Sequence, residues 1–166
     1  LDSVFDIILN FMIFMAICWV SKTTFWYAFA AFFGIQLQGT LYNYYYVILR
    51  HKSVGGDSTS KIFEYKTPKA LPGETQKSVT LLFRIYTIVY GLFDKIIHAL
   101  DQEAYKVKTF PNWFMSLLSI YGLGFQLLII AVMLPLHLIE YIAPFFIAYT
   151  LMIFILIAIR KRFISE

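Results

Sequence analysis

Apolar residues run through this chain in long blocks, and the polar stretches between the blocks are mostly short. The first block covers residues 2–20 and ends at Ser21-Lys22-Thr23-Thr24, which leaves room for little more than a turn. The second block, from Phe25 to about Arg50, must therefore return antiparallel to the first. Two more blocks, residues 113–134 and 141–159, are joined through Pro135 to Glu140. Each is close to the roughly 20 residues a helix needs to cross hydrocarbon. Residues 80–100 differ: Leu81, Ile85, Ile88, Leu92 and Ile96 form one stripe, while Arg84, Thr87, Gly91, Asp94 and His98 form another. That two-faced pattern predicts an amphipathic helix.

The expected fold is an all-α integral membrane helical bundle of four transmembrane helices plus one amphipathic interfacial helix. The whole chain, 1–166, forms a single membrane domain, with a first transmembrane hairpin over 1–50, a cytoplasmic loop with the amphipathic helix over 51–112, and a second hairpin over 113–162. Within 51–77 the Gly55-Gly56 and Leu71-Pro72-Gly73 signals mark loop.

Composition narrows the class. With 60% hydrophobic, 19% aromatic and 14% charged residues, the chain lies outside the range of soluble domains. Its net charge of +4 sits in stretches between apolar blocks, a pattern of orientation and contact with membrane lipids, not of nucleic-acid binding. Arg50, Lys52, Lys61, Lys66, Lys69 and Lys77 flank or lie in the long loop, against Lys22 alone in the first turn. The positive-inside bias places that loop, and the start of the first helix, at the cytoplasmic face. Arg160-Lys161-Arg162 belongs there too, so an even number of crossings follows the loop and 80–100 is left at the interface, the alternative being a spanning helix with its polar stripe buried in the bundle. At the interface the polar stripe faces water or the mouth of the site, and Arg84, Asp94 and His98 solvate that interfacial face or, alternatively, contact an acceptor. Tyr42, Tyr44, Tyr45 and Tyr46 read as an interfacial aromatic belt, and Gln36 and Asn43 as interhelical glue in preference to substrate contacts. A single cysteine, Cys18, excludes an internal disulfide.

The first turn of the first helix carries the candidate chemistry. Asp2 and Asp6 are one helical turn apart and share a face, with Asn10 one turn further. Ionisable groups this close to hydrocarbon are costly and mark functional sites by default. A divalent cation held by carboxylate oxygens would relieve the repulsion between them. Capping of the helix start by acids is the simpler alternative.

The pattern Leu1-Asp2-Ser3-x-x-Asp6, an Asp-x-x-x-Asp opening an apolar helix, resembles the second half of the CDP-alcohol phosphatidyltransferase signature, D-x-x-D-G-x-x-A-R, eight residues, G-x-x-x-D-x-x-x-D. The first two aspartates of that signature have no counterpart here. The chain is therefore read as a fragment, inactive alone, corresponding to the later part of a six-helix enzyme. The resemblance implies a phosphotransferase of phospholipid biosynthesis that moves a phosphatidyl group from a CDP-linked lipid donor to a small alcohol acceptor, releasing CMP. It implies Mg2+ or Mn2+ held by Asp2 and Asp6, with Asp6 also the catalytic general base, and it is compatible with a homodimer. Arg50 and Lys52, at the end of the neighbouring helix, are candidates for substrate phosphate binding or, equally, for anchoring on lipid headgroups. The alternative function is a non-catalytic helical subunit of a transporter or membrane complex.

Overall fold

The computed structural model describes residues 2–53 and 67–164, and every element among them is helical. The expectations resting on Lys61, Lys66 and the Gly55-Gly56 signal lie outside the described residues. α1 (Asp2–Ser21) and α2 (Phe25–Ser53) form the expected hairpin across a tight turn, where Lys22 takes a positive φ and Thr23 N–H donates to Cys18 O at 3.2 Å. The turn end of the hairpin exposes Trp19, Trp26 and Tyr27, aromatic rings of the kind that sit at headgroup level.

α3 (Gln76–Leu100) starts after a Leu71-Pro72-Gly73-Glu74 turn closed by Glu74 N–H to Leu71 O at 3.0 Å. Proline presets φ at the second position and Gly73 supplies the positive φ, +94°, at the third. Thr75 caps the helix, its hydroxyl accepting from Ser78 N–H at 3.3 Å. Leu81, Ile88 and Leu92 face outward, while Phe93 and Ile97 are buried against the bundle.

The block at 113–134 is not one helix. It divides into α4 (Asn112–Leu118), a short 3-10 turn over Ser119–Tyr121, and α5 (Leu123–Met133), bent by 50° around Gly122. Backbone freed at such a break needs new partners in hydrocarbon. Tyr149 provides one, its hydroxyl donating to Ile120 O at 3.3 Å, and Tyr121 reciprocates by donating to Tyr149 O at 2.9 Å. α6 (Ile139–Thr150) and α7 (Met152–Phe163) stack end to end across Leu151.

Among the described residues, Val4–Ser21 and Ile139–Phe163 are long and apolar enough to cross a membrane, and the bent α4–α5 pair makes a third if taken as one span. α2 has the length, 29 residues, but its amides and tyrosines keep it out of that group. It is nonetheless the axis of the molecule. Its first half packs in a cluster with α1, α5 and α6 around Phe14, Ala31, Ile142 and Phe146. Its second half enters another cluster with α4, α7 and the connector after α3, around Tyr45, Phe114, Tyr121 and Leu156.

Two expectations change here. Tyr44 and Tyr45 are core residues, 4% and 0% exposed, and only Tyr46 of that cluster is exposed as a belt residue would be. The connector at 101–111, expected as part of the polar loop, is packed against the bundle: Asp101, Ala104, Val107 and Phe110, spaced by three, are all buried.

Candidate functional site

Stripes from several helices meet around a polar cavity of about 310 Å3. α1 contributes Asp6 and Asn10, one turn apart, and α3 contributes Tyr86, Tyr90 and Asp94, one turn apart each. From α2 come Gln36, Gly39, Thr40 and Asn43, at spacings of three and four. The helix break closes the set with Tyr121, Gly122, Leu123 and Gln126. Irregular backbone at membrane depth is tolerated where it lines a cavity, and Gly122 stands at such a place.

Packing explains why this space stays open. Gly34, further up α2, touches α6: a Cβ there would collide with the Thr150 hydroxyl and lie 3.3 Å from Phe146 O. Gly39 does the opposite, since a Cβ there would meet nothing within 4 Å. The same helix thus uses one glycine to approach a neighbour and another to leave room.

The amides divide in the same way. Gln38, fully buried, is the interhelical glue: its Nε2 donates to Thr150 Oγ1 at 2.9 Å and Phe146 O at 3.2 Å, and its Oε1 accepts from Gln126 Nε2 at 3.0 Å. Gln126 Nε2 also donates to Ile35 O at 3.3 Å. Gln36 has no such role, contrary to the glue expected of it. It is 5% exposed, as is Thr40, and neither Gln36 Nε2 nor Thr40 Oγ1 has a hydrogen-bond partner. Asn43 lines the cavity as an exposed residue at its rim.

The expected site residues fall as follows. Asp6 is half-buried and lines the cavity. The Asp2 side chain lies outside the described residues; its backbone opens α1 one turn before Asp6. Arg50 and Lys52 are not part of the lining. Lys52 Nζ instead donates to Val107 O, tying the end of α2 to the connector after α3, and Arg50 is exposed. Asp94, expected to solvate an interfacial face in preference to meeting the site, is half-buried and shares the cavity with Asp6. The α2 contribution of Gln36, Thr40 and Asn43 carried a sequence signal, a polar stripe at helical spacing inside an apolar block.

Chemically, the lining offers two carboxylates, four amides and several hydroxyls, and among the described lining residues no Lys, Arg or His. Carboxylate and amide oxygens are donors suited to a hard divalent cation. Among the described residues no three or more His, Cys, Asp or Glu side chains stand close enough to form a metal group by themselves. Compared with known proteins, the chain matches no family model, no curated protein and no solved structure.

Proposed function

We propose that this chain is the later part of a CDP-alcohol phosphotransferase of phospholipid biosynthesis, which transfers a phosphatidyl group from a CDP-linked lipid to the hydroxyl of a small alcohol and releases CMP. One observation carries the reading: Asp6, which matches the last aspartate of the signature, lines a polar cavity in an otherwise apolar bundle. An acid held there at energetic cost calls for a functional reason.

In this reading Asp6 takes the proton from the acceptor hydroxyl as its oxygen attacks phosphorus and the CMP oxygen leaves. The bundle contributes by holding the acceptor next to that carboxylate and by shielding the reacting groups from bulk water. Magnesium or manganese suits carboxylate and amide oxygens such as those of the cavity lining: Asp2 and Asp6 would hold it, as the resemblance to the family signature implies. When bound, the ion offsets negative charge on the phosphoryl oxygens. The basic residues at the end of α2 support an orientation with the start of α1 at the cytoplasmic face, where a nucleotide-activated donor presents its head group.

The test is CMP release by the full-length protein in detergent, with CDP-diacylglycerol, magnesium or manganese and a panel of alcohols. Asp6→Asn is expected to lower the rate by about 10²- to 10⁴-fold, the usual range for loss of a general base. Release from the variant at the wild-type rate, or no release with any alcohol, would remove the catalytic reading and favour a non-catalytic membrane subunit.

A further inference from the structure

The two sides of α3 have different surroundings. Phe93 and Ile97 pack into the bundle, and Tyr86, Tyr90 and Asp94 line the cavity. The other side is open. Lys77, Arg84, Ile88 and Lys95 follow one another by seven, four and seven residues, which holds them within about 40° on the helix surface, and all four are exposed. Beside that line run Leu81, Ile85 and Leu92, exposed as well. Asp94, the one acid of α3, belongs to the inner side. The outer side is therefore a basic edge joined lengthwise to an apolar one, with Ile88 75% and Leu81 60% exposed.

Two stripes parallel to the axis favour one attitude of the helix. Were α3 upright in a bilayer, Lys77 and Arg84 would differ in depth by about 10 Å and Lys77 and Lys95 by about 27 Å, so a charge would sit in hydrocarbon at considerable cost. Lying along the boundary, the same helix sinks its apolar edge among acyl chains while every cation stays at headgroup level.

The start of the helix adds a place for a headgroup. Gln76, Lys77, Thr80, Leu81 and Arg84 surround a surface cleft of about 290 Å3. Gln76 and Thr80 are committed to the local backbone: the Gln76 amide accepts from Ala70 N–H at 3.0 Å and donates to Pro68 O at 3.1 Å, and the Thr80 hydroxyl donates to Gln76 O at 2.8 Å. The charged groups of the cleft are the Lys77 ammonium and the Arg84 guanidinium, two turns apart with Leu81 between them. Both are pure donors, and a guanidinium meets phosphate oxygens two at a time. A free phosphate would answer the charge and leave Leu81 and Ile88 uncovered, and so would an acidic protein surface. The edge of an anionic leaflet offers phosphate and hydrocarbon side by side, in the order the helix presents their complements.

We propose that the outer side of α3 docks on a leaflet containing anionic phospholipid, with Lys77 and Arg84 holding a lipid phosphate and Leu81, Ile88 and Leu92 inserted beside it. The surface is independent of the transferase reading, since none of these residues lines the cavity.

The full-length protein in phosphatidylcholine nanodiscs provides the test, with a trace of photoreactive phosphatidylglycerol or photoreactive phosphatidylcholine and the crosslinked peptides identified by mass spectrometry. Phosphatidylglycerol is expected to label the outer side of α3 in clear excess over phosphatidylcholine. That excess should shrink as NaCl is raised from about 0.05 M to about 0.5 M, because headgroup contacts are screened. Lys77→Gln and Arg84→Gln should each reduce it about fivefold, the scale of one cation at an anionic surface. Lys77→Arg combined with Arg84→Lys keeps the charge and should keep most of the excess. Equal labelling by the two lipids would overturn the proposal, as would an excess that survives loss of both cations. Absence of labelling on α3 from either lipid would show the face covered by protein instead. Competition by millimolar inorganic phosphate or glycerol phosphate would make the cleft a site for free phosphate and also overturn it. The lipid comparison and the salt response are read on the wild type, so they decide the matter even if a variant does not fold.

Discussion

Arg160 Nε donates to Asp101 Oδ2 at 2.7 Å, and the guanidinium Nη2 pairs with the other carboxylate oxygen, so a charged pair is sealed between the end of α3 and the end of α7. Both side chains are buried, and Tyr45 donates a further hydrogen bond to Asp101 Oδ2 at 2.6 Å. The Tyr44 hydroxyl donates to Asp101 O at 3.0 Å and shares a 3.3 Å hydrogen bond with His98 Nδ1. Arg160 is thus withdrawn from the basic cluster that Lys161 and Arg162 still present to solvent.

Breaking this pair from one side should be worse than removing it. Arg160→Met leaves a buried carboxylate with a tyrosine hydroxyl as its remaining polar side-chain partner, and is expected to cost about 3–5 kcal/mol. The double variant Asp101→Leu, Arg160→Met should recover much of that loss, since apolar groups of similar volume can replace a buried pair. Denaturant unfolding in detergent of the two singles and the double measures the difference. A double variant less stable than either single would contradict the account.

The two glycines of α2 make opposite predictions. Gly34→Ala drives a methyl into Thr150, whose hydroxyl is already committed to Gln38 and, at 2.7 Å, to Phe146 O. Overpacking of this kind costs about 1–3 kcal/mol. Gly39→Ala places its methyl in open space and should stabilise the helix by up to about 1 kcal/mol. Comparing the two Tm values checks the assignment, and equal losses would refute it.

Filling the cavity should separate folding from function. Gly39→Leu extends a side chain into the space shared by Asp6 and Thr40. The protein is expected to keep its Tm within a few degrees while CMP release falls at least tenfold, because a Cβ at this position meets no neighbour. Unimpaired CMP release in this variant would place the reacting groups elsewhere.

Gln38 and Gln36 form a matched contrast. Gln38→Leu strips partners from Gln126 and Thr150 and is expected to lower stability by about 1–2 kcal/mol, the upper range for interhelical hydrogen bonds in membranes. Gln36→Met should be neutral or stabilising, since no partner is lost. Unfolding midpoints of both variants without ligand decide the point.

The limits of α1 and α2 were legible in the sequence because a four-residue polar turn separates two apolar runs, and a turn that short admits one arrangement. α3 was legible as a two-faced helix, since its stripes keep helical spacing. The break at Gly122 was not: an apolar run carries the same hydropathy whether straight or bent, and the partners that satisfy the broken turn come from Tyr149, far along the chain. Asp101 and Arg160 were equally hidden, each looking like one more charge in a polar stretch until packing joined them across 59 positions. Of the candidate site, Asp6 could be read locally from its place on an apolar helix. Which amide on α2 is spent on packing and which is left facing the cavity depends on neighbours that periodicity alone does not name.

Gln38 therefore has an effect beyond the energy of its bonds. In lipid an apolar helix has little reason to prefer one rotation about its axis over another, because every face meets hydrocarbon equally well. Anchoring Gln38 to Gln126 and Thr150 fixes that angle for α2. Two residues turn an α-helix by about 200°, so the anchor directs Gln36 to nearly the opposite side and brings Thr40 and Asn43 round with it. The buried amide works as an indexing pin: the orientation of the whole cavity-lining face is set by a residue that does not itself line the cavity.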